Sequence, residues 1–173
     1  AIMLTLLATL VEAEDMVYQE PTDFLVEVFA GQVPTPRLLW LDESLRMELK
    51  NRVSYIPKGI RIRYWGENGR TAWVLNEIGK DRPITTGVVV DGDVIESMKV
   101  LVYRESRGWE VKYPFFTDQF RDLRLTQADR LDGTINSITG ATLSVRALKK
   151  VAAAALVLHA HSDEANTNIG GIK

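Results

Sequence analysis

The residue types in this chain that are suited to binding chemistry are concentrated in residues 136–144, which read Asn-Ser-Ile-Thr-Gly-Ala-Thr-Leu-Ser. After them, apolar residues recur at spacings of three and four, which predicts a helix that begins near Thr139 or Thr142. The first N–H groups of a helix have no intrahelical partner and attract an anion, which Gly140 allows to come close to the backbone. We therefore predict a phosphate site here. The alternative is that Thr139 is an ordinary N-cap and Gly140 an ordinary turn residue.

Residues 139–142, Thr-Gly-Ala-Thr, resemble the Ser/Thr-Gly-Ala-Thr signature of the FMN-binding domain family. This family includes the C subunit of the sodium-pumping NADH:quinone reductase and the G subunit of the Rnf complex. A hairpin with an Asp-Gly turn, followed by Glu105, is also similar to the family pattern, so the resemblance covers about residues 61–158.

The resemblance implies that FMN is the cofactor and that its phosphate is esterified to Thr142. In the family a dedicated periplasmic flavin transferase makes this bond, so the transferase is an expected partner. Asn136 differs from the Asp that the family usually has three residues before the signature. If that carboxylate assists attachment, this chain holds FMN with a slower covalent step or with none.

Residues 105–120 connect the hairpin to the signature and are dense in aromatic and charged side chains. For Trp109, contact with the isoalloxazine ring and packing in the core are about equally favoured, whereas Phe116 and Phe120 are predicted to pack in the core. Arg104, Arg107 or Lys112 is expected to bind the phosphate or the reduced flavin. The predicted cofactor-binding residues are Thr142, as the attachment residue, with Asn136, Thr139, Gly140, Ala141, Leu143, Ser144, Glu105 and Trp109.

These residues must be positioned by helices and strands, and the sequence patterns predict an α+β fold for them. The predicted fold is a two-layer single domain in which an antiparallel sheet of about four strands packs against helices. Alternating patterns with Asn-Gly and Asp-Gly turns predict strands at 59–65, 71–78, 85–90 and 94–104. Helical patterns precede them at 21–29 and 42–53. The predicted organisation is an N-terminal helical segment at 14–58, an FMN-binding domain at 59–161 and a disordered tail at 162–173.

Composition and the chain start limit the classes of function. Lys and Arg number 21 and Asp and Glu 23, so a nucleic-acid partner is not expected, and the absence of cysteine excludes thiolate-held iron–sulfur clusters. Residues 1–13 contain an apolar run that resembles a signal-peptide remnant, which predicts export to the periplasm; the alternative is a short buried helix. His159 and His161 have no partner at metal-ligand spacing and are predicted to face solvent.

The function predicted from these features is that of an exported FMN-binding electron-transfer protein. It is predicted to be a redox carrier rather than a stand-alone enzyme, with membrane-bound or soluble redox partners and a possible place in a membrane complex. The alternative is a flavin-free binding or assembly module that serves as an accessory subunit of a membrane complex. Such a module would be colourless and indifferent to the loss of Thr142.

Overall fold

A computed structural model of the protein describes residues 15–165 of the 173. Within this range the chain forms one antiparallel sheet of six strands and four helices. Their order is β1 (Met16–Val17), α1 (Pro21–Val28), β2 (Arg37–Trp40), α2 (Glu43–Val53), β3 (Arg61–Glu67), β4 (Arg70–Ile78), β5 (Pro83–Asp91), β6 (Val94–Tyr103), α3 (Pro114–Thr117) and α4 (Thr142–Ala160).

The predicted α+β class is confirmed, but the sheet has six strands and not about four. The strand order is β1-β6-β5-β4-β3-β2, and the four central strands are those that the alternating patterns predict. The Asn68-Gly69 turn that joins β3 to β4 has the positive φ angles of a tight hairpin. The two missed strands lie at the edges and contain only two and four residues, too few to establish an alternating pattern.

Helices cover both faces of the sheet, so the prediction of two layers is incomplete. Helices α2 and α4 pack on one face and share a core with Tyr64, Trp73 and Val88. Helix α1 packs on the opposite face, where Phe24 belongs to a second, smaller cluster. Because β1 pairs with β6 and β2 with β3, the segment predicted as helical at 14–58 is part of the same sheet.

The C-terminal predictions need two corrections. His159 does not face solvent: it is buried, and its Nδ1 lies 2.8 Å from Oγ1 of Thr71. The predicted disorder does not begin at residue 162, because Ser162 and Glu164 are buried and Glu164 accepts a hydrogen bond from the Gly69 N–H at 2.9 Å. His161 is partly exposed, as predicted. The predicted signal-peptide remnant at 1–13 and the rest of the predicted tail, 166–173, lie outside the described residues.

Candidate functional site

A cavity of about 590 Å³ lies where α4 begins. This size falls within the range of about 300–1,000 Å³ that is usual for small-molecule sites. Three segments form its wall: the turn after β4, the loop after β6 and the start of α4. The lining residues are Lys80, Glu105, Ser106, Arg107, Gly140, Ala141, Thr142, Leu143 and Ser144.

The start of α4 has the properties of an anion site. Thr142 is the first helical residue and Ala141 is the N-cap, and no side chain caps the helix. The first turn contains no acidic residue, so the positive end of the helix dipole is not neutralised from within. Neither Thr139 nor Thr142 is the N-cap, and the interpretation of Thr139 as an ordinary cap is wrong. Gly140 has a φ of 82°, a conformation that other residues rarely adopt.

A chain of hydrogen bonds holds the loop after β6 against α4. The Tyr103 hydroxyl donates to the carbonyl of Arg107, and its oxygen lies 2.8 Å from Oγ of Ser144. Since the hydroxyl proton of Tyr103 is engaged, Ser144 is the donor in the second bond. Gly108 sits directly against both hydroxyls: an added Cβ would lie 2.9 Å from the Tyr103 oxygen and 3.1 Å from Oγ of Ser144. The cavity wall is therefore tightly packed at this point.

Glu105 shapes the opposite wall through its carboxylate. Its Oε1 accepts the backbone N–H groups of Lys80, Asp81 and Arg82 at 2.6, 2.7 and 2.9 Å. The side chain is 7% exposed, so these bonds are shielded from water. Glu105 thus fixes the β4–β5 turn and brings Lys80 to the cavity. Because Oε1 of Glu105 is occupied by these three N–H groups, it is not available to bind a ligand.

The cavity lining contains two cations, Lys80 and Arg107, against the one carboxylate of Glu105, and this net positive charge suits a phosphate. Lys80 is 72% exposed and lies 3.6 Å from an equally exposed Asp81, a contact that water weakens. Arg107 is exposed and has no carboxylate partner among residues 15–165. With the uncapped helix start, these two cations offer several donors and few competing acceptors to an anion.

The structure brings together most of the residues predicted for the site, but not all of them. Residues 140–144 and Glu105 line the cavity with Arg107, whereas Asn136, Thr139 and Trp109 do not. Asn136 is exposed and its N–H donates to Oε1 of Gln119 at 2.7 Å.

The predicted aromatic and basic side chains divide into separate groups. Phe116 and Phe120 are fully buried, as predicted. Trp109 is 39% exposed and packs edge-on against Tyr113, with ring centres 5.9 Å apart. The Lys112 ammonium lies 4.1 Å from the ring centre of Tyr18 and is taken up by this aromatic group. Of the candidate cations, only Arg107 reaches the cavity.

Sequence reasoning missed Lys80 and Ser106 as lining residues and Tyr103 as a support. Lys80 occupies a charged turn, Gly79-Lys80-Asp81, which is an ordinary surface feature in a sequence. Its place at the site depends on Glu105, which lies 25 residues away. The N–H groups of this turn need an acceptor, and knowing that acceptor would have placed Lys80 at the site. The sequence does not identify such a partner.

Within residues 15–165, no group of three or more His, Cys, Asp or Glu side chains is arranged to hold a metal ion. In the same part of the chain, no helix is both long enough and apolar enough to cross a membrane.

Comparison with known proteins gives a match that includes every residue lining this cavity. Residues 79–157 match the family model of the FMN-binding domain, from the β4–β5 turn to the last turns of α4. No curated protein and no solved structure matches the chain. The match supports FMN as the cofactor. The cavity fits the phosphate of such a cofactor, since it combines an uncapped helix start with Lys80 and Arg107.

Proposed function

We propose that this chain is an exported electron-transfer protein that carries FMN, esterified through its phosphate to Oγ of Thr142. One observation carries the proposal: Thr142 is exposed at the first position of an uncapped helix that opens into an electropositive cavity. A hydroxyl at this position is accessible to a transferase. The phosphate that it would carry is also surrounded by donors.

In this proposal the chain's own groups hold the phosphate. The N–H groups of Leu143 and Ser144 have no acceptor among the described residues and are free to donate to phosphate oxygens. Lys80 and Arg107 offset the remaining negative charge. Bound FMN supplies one- or two-electron redox chemistry, which the protein tunes through its contacts.

The engagement of the polar wall residues favours a carrier over an enzyme. Oε1 of Glu105 accepts three backbone N–H groups, and the Ser144 hydroxyl donates to Tyr103. Both groups are committed to holding the wall in place, so neither is poised as a general base. Electron transfer needs close approach of a donor and an acceptor but no proton-transfer residue of the protein.

A covalent tether also agrees with the proposed export. A noncovalent cofactor is retained by mass action, so a compartment with little free FMN would empty the site with time. An ester at Thr142 is lost only by hydrolysis. It leaves the ring system of FMN unchanged, so the tether does not limit its redox chemistry.

The test is to produce the chain in cells that contain a flavin transferase and to record its intact mass, visible spectrum and peptide map. We expect a mass gain of one FMN less one water on the peptide with Thr142, and absorption that survives denaturation. Thr142→Ala should abolish this gain. Thr134→Ala is the matched control, because Thr134 is exposed and lies outside both the cavity wall and the Thr-Gly-Ala-Thr signature, so it should leave the gain intact.

A yellow, mass-shifted Thr142→Ala chain would contradict the assignment. Colour that is lost on denaturation would indicate noncovalent FMN, and the Asn136→Asp variant should then raise the covalent fraction if Asn136 is the cause. A chain without flavin under these conditions would favour the flavin-free assembly module.

A further inference from the structure

A second cavity, of about 930 Å³, lies along strands β2 to β4 and the loop 54–58, where the part of β3 before Tyr64 is not paired with β4. We call it the β2–β4 groove. Its apolar lining includes Leu38, Trp65, Val74 and Ile78, together with Tyr55, Ile62 and Leu75 of the core under α2 and α4. It lies apart from the cavity at α4, and the β4–β5 turn separates the two: Ile78 and Pro83 line the groove, whereas Lys80 lines the cavity.

Three large apolar side chains project into solvent beside this groove. Ile56 is 69% exposed, Ile60 65% and Trp40 60%. Isolated exposed apolar residues are ordinary on protein surfaces. Here, however, Ile56 and Ile60 belong to one loop, and Trp40 ends the neighbouring strand β2. The N–H of the next residue, Leu41, donates to the Ile60 carbonyl at 2.9 Å. We call Ile56, Ile60 and Trp40 the apolar edge.

The loop that presents this edge is held in place from behind. Arg46 of α2 donates through Nε to the Leu41 carbonyl at 3.0 Å, through Nη1 to the Pro57 carbonyl at 3.4 Å, and through Nη2 to the Gly59 carbonyl. One guanidinium thus ties the loop at Pro57 and Gly59, and the residue after β2, to the helix. The exposed apolar residues are therefore presented by a fixed loop, which lowers the entropy cost of inserting them elsewhere.

The charge beside the apolar edge is positive and unpaired. Lys58, Arg61 and Arg63 line the groove, and none of them pairs with a carboxylate of residues 15–165. The other lining cations are engaged: Arg104 bonds Asp15 at 2.8 Å, and Lys150 contacts Glu77 at 3.4 Å. Arg61 lies over the Trp40 ring at 5.7 Å, so charge and apolar surface are adjacent. The whole chain has a net charge of −2, so this basic face is a local concentration.

We propose that the β2–β4 groove and its apolar edge bind the surface of a bilayer that contains anionic lipid. Ile56, Ile60 and Trp40 enter the boundary between headgroups and acyl chains. Lys58, Arg61 and Arg63 meet the lipid phosphates in the groove. Apolar side chains that project into solvent beside unpaired cations suit a lipid surface, where apolar groups reach the acyl boundary and cations meet the headgroup phosphates.

Binding in this way keeps the cavity at α4 near the membrane, because the groove and the cavity meet at the β4–β5 turn. The inference does not rest on the proposed function. Lipid binding by the groove requires neither flavin nor Thr142, so the test is made on the unchanged chain and on Thr142→Ala alike.

The test is cosedimentation of the full chain with phosphatidylcholine vesicles that contain or lack phosphatidylglycerol. We expect binding only with phosphatidylglycerol, and weaker binding as salt increases. A cation near an anionic surface contributes roughly fivefold in affinity, so the double variant Arg61→Gln, Arg63→Gln should bind about 25-fold more weakly. The control is Arg130→Gln with Arg146→Gln, which removes two exposed cations outside the groove.

The apolar edge is tested by the double variant Ile56→Ser, Ile60→Ser, with Phe115→Ser as control because Phe115 is 64% exposed on a different surface. Only the first should lose binding. Quenching by brominated lipid should report Trp40 and should fall in Trp40→Phe. Every variant keeps residues 1–14, so differences between variants report on the groove alone.

Equal binding of the groove variants and their controls would overturn the proposal, as would equal binding to both kinds of vesicle. Binding of poly-glutamate in place of vesicles would overturn it in favour of an acidic protein partner. Because all the substituted side chains are exposed, thermal unfolding should show that each variant is folded.

Discussion

At the scale of single residues, the site depends on which polar atoms are already engaged. Thr142 and Arg107 have exposed side chains without a bonding partner among the described residues, whereas Glu105 and Ser144 are committed to the protein itself. Glu105 is the clearest case, because it was predicted as a cofactor-binding residue and its bonded oxygen holds a turn. Its contribution to the site is to place Lys80.

Glu105→Ala should therefore destabilise the protein, because it leaves three backbone N–H groups without an acceptor. We expect the free energy of unfolding to fall by about 1–3 kcal/mol, measured in urea. Glu105→Gln keeps an acceptor oxygen and should cost less. Equal losses in the two variants would show that the N–H bonds are not the cause.

At the scale of elements, α4 is joined to the sheet by a buried polar chain as well as by apolar contacts. The Trp73 Nε1–H donates to Oγ1 of Thr71 at 2.8 Å, and this oxygen lies 2.8 Å from Nδ1 of His159. A proton donated by Thr71 to His159 would leave the imidazole neutral with its own proton on Nε2. Burial lowers the pKa of His159 below its ordinary value of 6.5, against the smaller opposing effects of Asp91 and Glu164.

This arrangement predicts a loss of stability in mild acid. The unfolded chain binds a proton at His159 near pH 6.5, and the folded chain does so only at lower pH. Between these values the unfolded state holds more protons, so the free energy of unfolding falls as the pH falls below about 6.5. Denaturant unfolding at several pH values should show this slope. It should be absent in His159→Gln and retained in the control His161→Gln, whose side chain is partly exposed.

At the scale of the whole molecule, the segment after α4 closes the edge of the sheet. Glu164 has a buried side chain, which bonds Arg37 of β2 at 2.5 Å and the N–H of Gly69 in the β3–β4 turn at 2.9 Å. One carboxylate thus connects the C-terminal segment, an edge strand and a central hairpin. Arg37 is 43% exposed, so water weakens its ion pair with Glu164, although the Glu164 side chain itself is buried.

Glu164→Ala should reduce the free energy of unfolding by about 1–3 kcal/mol in urea, because the Gly69 N–H loses its acceptor and Arg37 its partner. Glu164→Gln still offers an oxygen to Gly69, so its loss should be smaller. If Glu164→Ala is as stable as the unchanged chain, the C-terminal segment does not support the sheet.

The sequence by itself determined the central hairpins, helices α1, α2 and α4, and the family resemblance that agrees with the match over 79–157. These features are local, since each depends on periodicity, turn chemistry or a contiguous motif. Tertiary structure decided the edge strands, the placement of α1 on the second face, the burial of His159 and the place of Lys80 at the cavity. Each of these features depends on partners far away along the chain, as Lys80 depends on Glu105. A local residue pattern does not encode which distant group will pair with a strand, pack in a core or accept a hydrogen bond.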